Sequence, residues 1–487
     1  MKPSTAKLSS TVLKDVPLST TMPVFKNNNA YASVLEKQTV FFQTGTTLPI
    51  QFRIDTLKKL KKCILQHESE ISDALTHDLG KPIFESYGAE IAGTISEIDY
   101  FIHNLRKLAT DTTVSTPLLH FKASSRIQYQ PYGKVLIIAP WNYPFLLSMN
   151  PLVGAVAAGN TCVLKPSEIA EKTALIIEKI INEIFIQDYV AVVQGGVNQT
   201  QELLENKFDL LFFTGSTPVG KIMYKAAAEH LTPVVLELGG KSPVIVDEDT
   251  DIEITARRIV WGKFLNTGQT CIAPDYVFVH ENIKAKLIER CIHYIEDFYG
   301  KDAYVSSSYG RIITTKNTLR LKNYLATSNV IYGGKVNENA CYVSPTLLDS
   351  PAMDSPVMQE EIFGPILPIH SYKNIDEVIQ FIANRPKPLA LYIFSNSKTF
   401  QNTILQKTYS GGVAINETVM HVANHNLPFG GVGASGIGNY HGKHSFFTFS
   451  HARSILSKSF IIDVKIRYAP YQKNRLGLLK FMTKYFM

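Results

Sequence analysis

Cysteine and tryptophan are scarce in this 487-residue chain, which contains five of the first and two of the second. The five cysteines are odd in number and lie at wide, unrelated spacings, so the sequence excludes a disulfide framework and CxxC metal pairs and favours a reducing compartment. No stretch approaches the roughly 18 consecutive apolar residues of a membrane-spanning helix. The N-terminus also lacks the apolar core of a secretory signal. We therefore expect a cytoplasmic protein.

A charge excess is also missing from most of the chain. Lys and Arg number 49 against 42 Asp and Glu, a formal charge of +7. Residues 452–487 alone carry eight bases and one acid, so the rest is formally neutral and offers no broad nucleic-acid surface. The tail at 456–487 mixes bases with large apolar groups. It is typical of a peripheral membrane contact. Docking on a partner subunit or on the substrate entrance is the alternative.

Short apolar runs alternate with helical stretches from residue 129 onward. The first series of runs lies at 134–140, 160–166, 189–196, 209–215 and 232–240. The second lies at 242–246, 276–280, 333–336, 365–370 and 389–394. Apolar strands that alternate with helices predict parallel sheets covered on both faces, and therefore two α/β domains. Ahead of them, helical spacing over about 50–108 predicts two amphipathic helices.

Two nucleotide-binding signatures fail on inspection. Residues 431–436 match GxGxxG, but no apolar strand precedes them. Residues 215–221 match the start of a P-loop, but Ile222 stands where Mg²⁺ coordination needs a hydroxyl. Pro218 suits the first turn of a helix running through His230, whose N-terminus can hold a pyrophosphate. An ordinary strand-to-helix turn is equally compatible.

Cys271 and Glu237 are the candidates for chemistry. Cys271 lies among glycine and small polar residues, which favours a loop over a packed strand, and a reactive thiol and a buried, inert cysteine are equally compatible with it. Glu237 interrupts the apolar run at 232–240, where burial would raise its pKa into the range of a general base. A strand-end Glu paired with Lys241 is the alternative.

Polar side chains also follow two other predicted strands. Asn142 follows the run at 134–140, and Lys165 and Glu168 follow the next strand, at the edge where α/β sheets bind ligands. A role in helix capping is the alternative to ligand binding at these positions. Five histidines crowd residues 421–451, but no HExxH or paired carboxylate accompanies them, so the sequence predicts no metal site.

Seven segments in fixed order resemble the aldehyde dehydrogenase superfamily over residues 30–451. They read PWNYP, KPSE, FTGS, LELGGKSP, FxNxGQTC, QEEIFGP and PFGGVGASGIG. The short N-terminus and the run at 436–443 are similar to the class 3 and fatty aldehyde dehydrogenase branch. The resemblance implies an aldehyde dehydrogenase-like α/β fold with two parallel-sheet domains and a small bridging β element for oligomerisation. It also implies a homodimer.

The domain boundaries follow from this resemblance. They are 1–111 (helical part of the cofactor domain), 112–132 (first oligomerisation strands), 133–238 (dinucleotide-binding domain), 239–420 (catalytic domain), 421–455 (return segment with a site-closing loop and an oligomerisation strand) and 456–487 (basic amphipathic tail).

The resemblance further implies that Cys271 attacks the aldehyde, that Asn142 stabilises the oxyanion and that Glu237 activates water to hydrolyse a thioester. The product is a carboxylic acid, from medium or long-chain aliphatic or aromatic aldehydes. The implied cofactor is NAD, with NADP possible. Its implied contacts are Lys165 and Glu168 at the ribose, Gly215 and Ser216 at the pyrophosphate, and Glu361 and Phe363 at the nicotinamide. A CoA-acylating enzyme and a non-catalytic binding protein that uses its basic tail are the alternatives.

Overall fold

The computed structural model describes residues 31–463, 467–471 and 473–486. The expectation about a secretory leader concerns residues before 31 and lies outside the described residues.

The helices, in chain order, are α1 Ala32–Gln43, α2 Ile50–Gln66, α3 Glu68–Leu79, α4 Ile83–Glu85, α5 Ala92–Leu108, α6 Leu146–Ala158, α7 Glu171–Ile184, α8 Val197–Leu204, α9 Thr217–Glu229, α10 Ile252–Phe264, α11 Lys284–Tyr299, α12 Thr315–Ala326, α13 Pro356–Gln359, α14 Ile375–Ala383, α15 Lys398–Lys407, α16 Lys443–Thr448 and α17 Lys473–Phe486. A π-helical turn spans Ser86–Ile91, and 3-10 turns span Leu118–His120, Leu265–Gly268, Glu281–Ile283 and Met420–Ala423.

The strands are β1 Thr112–Val114, β2 Ala123–Pro131, β3 Lys134–Ile138, β4 Thr161–Lys165, β5 Val190–Val192, β6 Leu210–Thr214, β7 Val234–Glu237, β8 Pro243–Val246, β9 Tyr276–His280, β10 Val330–Tyr332, β11 Val336–Asn337, β12 Tyr342–Val343, β13 Thr346–Asp349, β14 Ile366–Tyr372, β15 Ala390–Phe394, β16 Gly412–Ile415, β17 Gly436–Ile437 and β18 Ser450–Lys458.

The first large sheet has the strand order β17-β7-β6-β3-β4-β5. Its five strands β7, β6, β3, β4 and β5 run parallel, and only the short β17 is antiparallel to its neighbour. Side chains on both faces are buried, as in β6, because helices cover both sides. All five apolar runs of the first series lie here, so the α/β prediction is confirmed.

The second large sheet has the order β10-β13-β14-β9-β8-β15-β16 and is parallel except at β10. The predicted strand at 333–336 is wrong, because Gly333 and Gly334 adopt positive φ angles of 81° and 76°. Such angles belong to turns and not to extended strands. The strand beside β14 is β13 instead, which the pattern does not predict because only Leu347 and Leu348 in it are apolar.

The third sheet, β1-β2-β18, joins distant parts of the chain. β18 pairs antiparallel with β2 from Ser450 opposite Pro131 to Lys458 opposite Ala123. β18 forms one edge of this sheet. The domain boundaries given above stay a prediction.

The N-terminal helices differ from expectation in number. Residues 50–108 form α2, α3, α4, the π-helical turn and α5, and not two helices. Gly80 ends α3 in the left-handed conformation, with φ of 59°, and Pro82 precedes the next helix. A glycine at this position and a nearby proline are common helix stops.

One large hydrophobic cluster includes side chains of both large sheets, among them Val135, Phe212, Val277 and Tyr392. The two sheets therefore pack around a shared core. In the described part of the tail, α17 leaves Leu476, Leu478 and Leu479 exposed. None of the helices that the structure describes is long and apolar enough to span a bilayer.

Candidate active site

The carboxyl edge of the first sheet collects the residues that the sequence singled out. The parallel strands β3, β4, β6 and β7 all end at this edge. Asn142 follows β3, Lys165 ends β4, Gly215 follows β6 and Glu237 ends β7. The backbone N–H of Gly215 donates a hydrogen bond to the Glu237 carbonyl at 3.0 Å. Ligands of open α/β sheets bind at such an edge.

Cys271 lies in the loop after the 3-10 turn at Leu265–Gly268 and packs against the large hydrophobic cluster. The segment that carries Asn142 is bonded to the residues just before it. Asn142 Nδ2 donates to the Gln269 carbonyl at 3.0 Å. The hydroxyls of Tyr143 and Thr270 are 2.7 Å apart. These bonds hold the Asn142 amide beside the cysteine loop.

A buried ion pair anchors the same segment from the other side. Lys81 and Glu90 are paired, and both side chains are fully buried. Lys81 Nζ donates to the Asn142 carbonyl at 3.3 Å, and Glu90 Oε2 accepts from the backbone N–H of Phe145 at 2.9 Å. The sequence does not predict this pair, since the helical spacing over about 50–108 indicates only amphipathic helices. A Lys and a Glu in an amphipathic stretch give no signal that separates burial from exposure.

Burial controls the protonation of the central groups. Desolvation, and then the charges of Glu361 and Glu237, raise the pKa of Cys271 to about 12. Both carboxylate oxygens of Glu237 are buried without a hydrogen-bond partner, and burial raises its pKa well above 4.5. The alternative pairing of Glu237 with Lys241 does not occur, because Lys241 is paired with Asp275. Burial and the two neighbouring acids therefore favour the protonated thiol.

Glu361 and Phe363 approach the site from the loop between α13 and β14. Glu361 Oε1 is buried without a partner, and burial followed by the charge of Asp275 raises the pKa of Glu361 to about 8. The Phe363 ring lies edge-on to the Trp141 ring, with centroids 5.3 Å apart. The loop of Glu361 therefore contacts the loop of Asn142.

The expected dinucleotide contacts lie along the same edge. Lys165 Nζ is 3.0 Å from Glu168 Oε2, and the Glu168 side chain is 42% exposed. Ser216 is exposed at the start of α9, where its hydroxyl makes no capping bond, and proline occupies the first turn. A Cβ on Gly215 would lie 2.5 Å from the Phe213 ring. The open N-terminus of α9 fits a pyrophosphate. The carboxylate oxygen of Glu361 that has no partner fits a cationic ring.

The glycine-rich segment at 431–436 has a different role from a nucleotide loop. Gly436 pairs with Glu237 as part of β17, and the backbone N–H of Leu238 donates to the Ser435 carbonyl at 3.1 Å. A Cβ on Gly431 would collide with the Ser435 backbone. These glycines let the segment pack closely against β7. The sequence match to a nucleotide-binding loop is therefore coincidental.

The known proteins that this chain resembles are aldehyde dehydrogenases. The model of the aldehyde dehydrogenase family matches residues 19–455. A Staphylococcus aureus protein named 4,4'-diaponeurosporen-aldehyde dehydrogenase is 48% identical over 92% of this chain and 97% of its own length. Mus musculus aldehyde dehydrogenase family 3 member A2 is 45% identical over 90% of this chain and 91% of its own length.

The dimeric NADP-preferring aldehyde dehydrogenase of Canis lupus familiaris is 44% identical over 90% of this chain and 97% of its own length. Among solved structures, the substrate-bound state of Staphylococcus aureus AldH superposes with a TM-score of 0.90 at 47% identity. It covers 93% of this chain and 99% of that chain.

Proposed function

The chain belongs to the aldehyde dehydrogenase family, and we propose that it oxidises medium or long-chain aliphatic or aromatic aldehydes to carboxylic acids with Cys271 as nucleophile. The enzyme is an oxidoreductase of the class 3 type that acts on the aldehyde group with NAD(P)⁺. The observation that carries the proposal is the bond between Asn142 and the loop of Cys271, next to the unpartnered carboxylate of Glu237.

In the first step, the Cys271 sulfur forms a bond to the aldehyde carbon while its proton passes to a neighbouring carboxylate. The pKa of Glu361, raised to about 8, gives this group the proton affinity for the role and leaves Glu237 unprotonated for the later step. Asn142 Nδ2 donates to the oxygen on which negative charge develops. For this, the amide exchanges its bond to the Gln269 carbonyl for one to the substrate.

When bound, NAD(P)⁺ accepts the hydride that leaves the substrate carbon. Lys165 and Glu168 would hold the ribose, Gly215 and Ser216 the pyrophosphate, and Glu361 with Phe363 the nicotinamide end. The pair of Lys165 and Glu168 places both signs of charge at the ribose, which supports use of NAD⁺ and NADP⁺ alike.

In the last step, Glu237 takes a proton from water, which attacks the Cys271 thioester and breaks its carbon–sulfur bond. The acid leaves and the thiol regains its proton. A buried carboxylate with a raised pKa is a suitable base near neutral pH. A CoA-acylating enzyme needs no such base, so Glu237 supports hydrolysis.

The environment of Cys271 supports an apolar aldehyde. It packs against the large hydrophobic cluster, as does Val422 in the segment before β17. The Staphylococcus aureus relative is named for 4,4'-diaponeurosporen-aldehyde. An apolar chain would bury its surface against such side chains at about 0.8 kcal/mol per CH₂.

We propose a homodimer formed through the edge of β18. This strand leaves most of its side chains exposed, with Leu456 53% exposed. An open strand edge favours pairing with a second chain. The canine relative is named a dimeric enzyme. Leu456→Asp is expected to convert the dimer to a monomer in analytical ultracentrifugation. If the variant stays a dimer, the interface lies on another surface.

We also propose that the tail lies on an anionic membrane surface. Leu476, Leu478 and Leu479 are exposed on α17 between basic residues, and Ile461 ahead of it is 77% exposed. Deletion of residues 465–487 should abolish co-sedimentation with anionic liposomes. Unchanged sedimentation would instead support docking on a protein.

Activity is tested with a panel of aldehydes from acetaldehyde to hexadecanal, measured as reduction of NAD⁺ and of NADP⁺, with and without CoA. We expect kcat/KM to rise with chain length, the carboxylic acid as product, and no dependence on CoA. Cys271→Ser should abolish reduction. Reduction that survives in Cys271→Ser, or no reduction with any aldehyde, would overturn the proposal.

A further inference from the structure

A second group of reactive side chains lies among the N-terminal helices. Cys63 on α2, His67 at the junction of α2 and α3, and Glu183 on α7 offer ligand atoms that all lie within 4.8 Å of one another. Cys63 Sγ is 3.4 Å from Glu183 Oε2. His67 Nε2 is 3.1 Å from the same oxygen, Glu183 Oε2. Because α7 begins at the carboxyl edge of the first sheet and Glu183 lies at its far end, this group is on the side away from Cys271.

The spacing of these atoms suits a tetrahedral metal ion. Bonds of about 2.3 Å to sulfur and about 2.1 Å to nitrogen or oxygen at tetrahedral angles place sulfur and oxygen about 3.6 Å apart and nitrogen and oxygen about 3.4 Å apart. The observed distances differ from these by a few tenths of an ångström. Cys63 and His67 are four residues apart on adjoining helical turns, a spacing that places both on one helix face.

The surroundings of His67 strengthen the case. Its other ring nitrogen, Nδ1, is 2.8 Å from Glu70 Oε1, and Lys179 in turn binds Glu70 at 2.7 Å. A carboxylate acceptor on one ring nitrogen fixes the imidazole tautomer and leaves the other nitrogen as a ligand, the usual arrangement around metal-bound histidines. The His67 side chain is only 13% exposed, so its orientation is held by packing as well.

We propose that Cys63, His67 and Glu183 bind one Zn²⁺ ion, with water as the fourth ligand. Thiolate, imidazole and carboxylate are all ligands that zinc accepts, and thiolate selects against Mg²⁺ and Ca²⁺. Binding displaces the proton from Cys63, which passes to solvent. The ion joins α2 to α7 and thereby stabilises the helical layer, since a ligand that binds only the folded state raises its stability. The competing arrangement is a metal-free network in which the thiol and the imidazole donate to Glu183.

The test uses full-length protein with the Cys271→Ser substitution, so that the proposed catalytic thiol does not bind metal. Zn²⁺ is titrated against a chromophoric chelator, and Co²⁺ serves as a spectroscopic probe. We expect one Zn²⁺ per chain, a rise in Tm on binding, and a thiolate-to-cobalt charge-transfer band. Adding Cys63→Ser should abolish the band and the stoichiometric binding. Cys341→Ser, at a half-buried cysteine elsewhere, is the matched control and should retain both.

Two further variants separate a metal site from a damaged fold. Glu183→Gln changes a side chain that is 44% exposed and should lose binding while the metal-free Tm stays near that of the parent. Glu70→Gln should weaken Zn²⁺ about 10- to 100-fold, as expected for loss of an orienting partner. Absence of stoichiometric binding in the parent, or a cobalt band that persists after Cys63→Ser, would overturn the site and support the metal-free network.

Discussion

The ring of Trp141 meets the ring of Phe363 at an interplanar angle of 80°, with centroids 5.3 Å apart. The contact joins the loop that carries Asn142 to the loop that carries Glu361, one from each large sheet. The two loops therefore share an aromatic contact at the site. Edge-to-face pairs contribute about 0.5–1.5 kcal/mol beyond the area they bury.

This contact predicts coupling between the two residues. In a double-mutant cycle of Trp141→Leu and Phe363→Leu, the effects on the free energy of unfolding should differ from additivity by about 0.5–1.5 kcal/mol. Denaturant titrations measure this quantity. Strict additivity would show that the rings contribute only through the area each buries.

Glu237→Gln should separate the two halves of the reaction. Formation of the thioester does not require Glu237 to activate water, so a burst of about one NADH per site should remain. Steady-state turnover should fall about 10²- to 10⁴-fold, the usual contribution of a general base. Rapid-mixing absorbance measures both phases. Hydroxylamine, which attacks thioesters directly, should restore part of the turnover, and loss of the burst would contradict the assigned role.

Glu168→Gln should shift the enzyme toward NADP⁺. Removing a carboxylate from the ribose end relieves a repulsion with the 2′-phosphate of about 1 kcal/mol near the solvent. The ratio of kcat/KM for NADP⁺ to that for NAD⁺ should therefore rise about fivefold. Glu171→Gln, an exposed acid at the start of α7, is the matched control. An equal shift in both variants would indicate a general charge effect.

Replacing only one member of the buried pair of Lys81 and Glu90 should lower the stability of the fold more than replacing both. Lys81→Met leaves Glu90 as an uncompensated buried charge and should destabilise the fold by about 3–5 kcal/mol. Lys81→Met combined with Glu90→Leu should recover part of this loss in thermal unfolding. Because both residues bond to the Asn142 segment, kcat should stay low in the recovered double variant. Full recovery of kcat would mean that the segment keeps its place without them.

Glu85 predicts a specific pH dependence of stability. Its carboxylate accepts from the Asn266 backbone N–H at 2.7 Å, and burial raises its pKa to about 7. Since the folded-state pKa is higher than the unfolded one, the folded protein binds more protons between these values. Its stabilising contribution is complete below pH 4.5 and is lost as pH rises through 7, by about 3 kcal/mol at most.

Glu85→Gln removes this titration. The Tm of the variant relative to the parent should therefore rise between pH 5 and pH 8. The exposed Glu229→Gln provides the comparison and should show no such trend. If the Tm difference stays constant across this range, the Glu85 carboxylate is solvated and its pKa is not raised by burial.

The sequence alone determined the fold class and the order of the motifs. Runs of apolar residues between helices are recognisable because a strand buried on both faces is apolar along its middle, and β3, β4, β6 and β7 have polar residues only at their ends. The same local logic fails at 333–336, where glycine conformation overrides an apparent strand, and at β13, which has only two apolar residues between Thr346 and Asp349.

Only the tertiary structure decided which polar groups meet. Lys241 pairs with Asp275, which is 34 residues away in the chain, and not with Glu237, which is 4 residues away. Proximity in the sequence therefore does not predict the pair. The buried pair of Lys81 and Glu90 and the group of Cys63, His67 and Glu183 likewise arise from helix packing. A residue's type fixes what chemistry it offers, whereas burial and its neighbours fix its protonation and its partners, and these are set when distant segments come together.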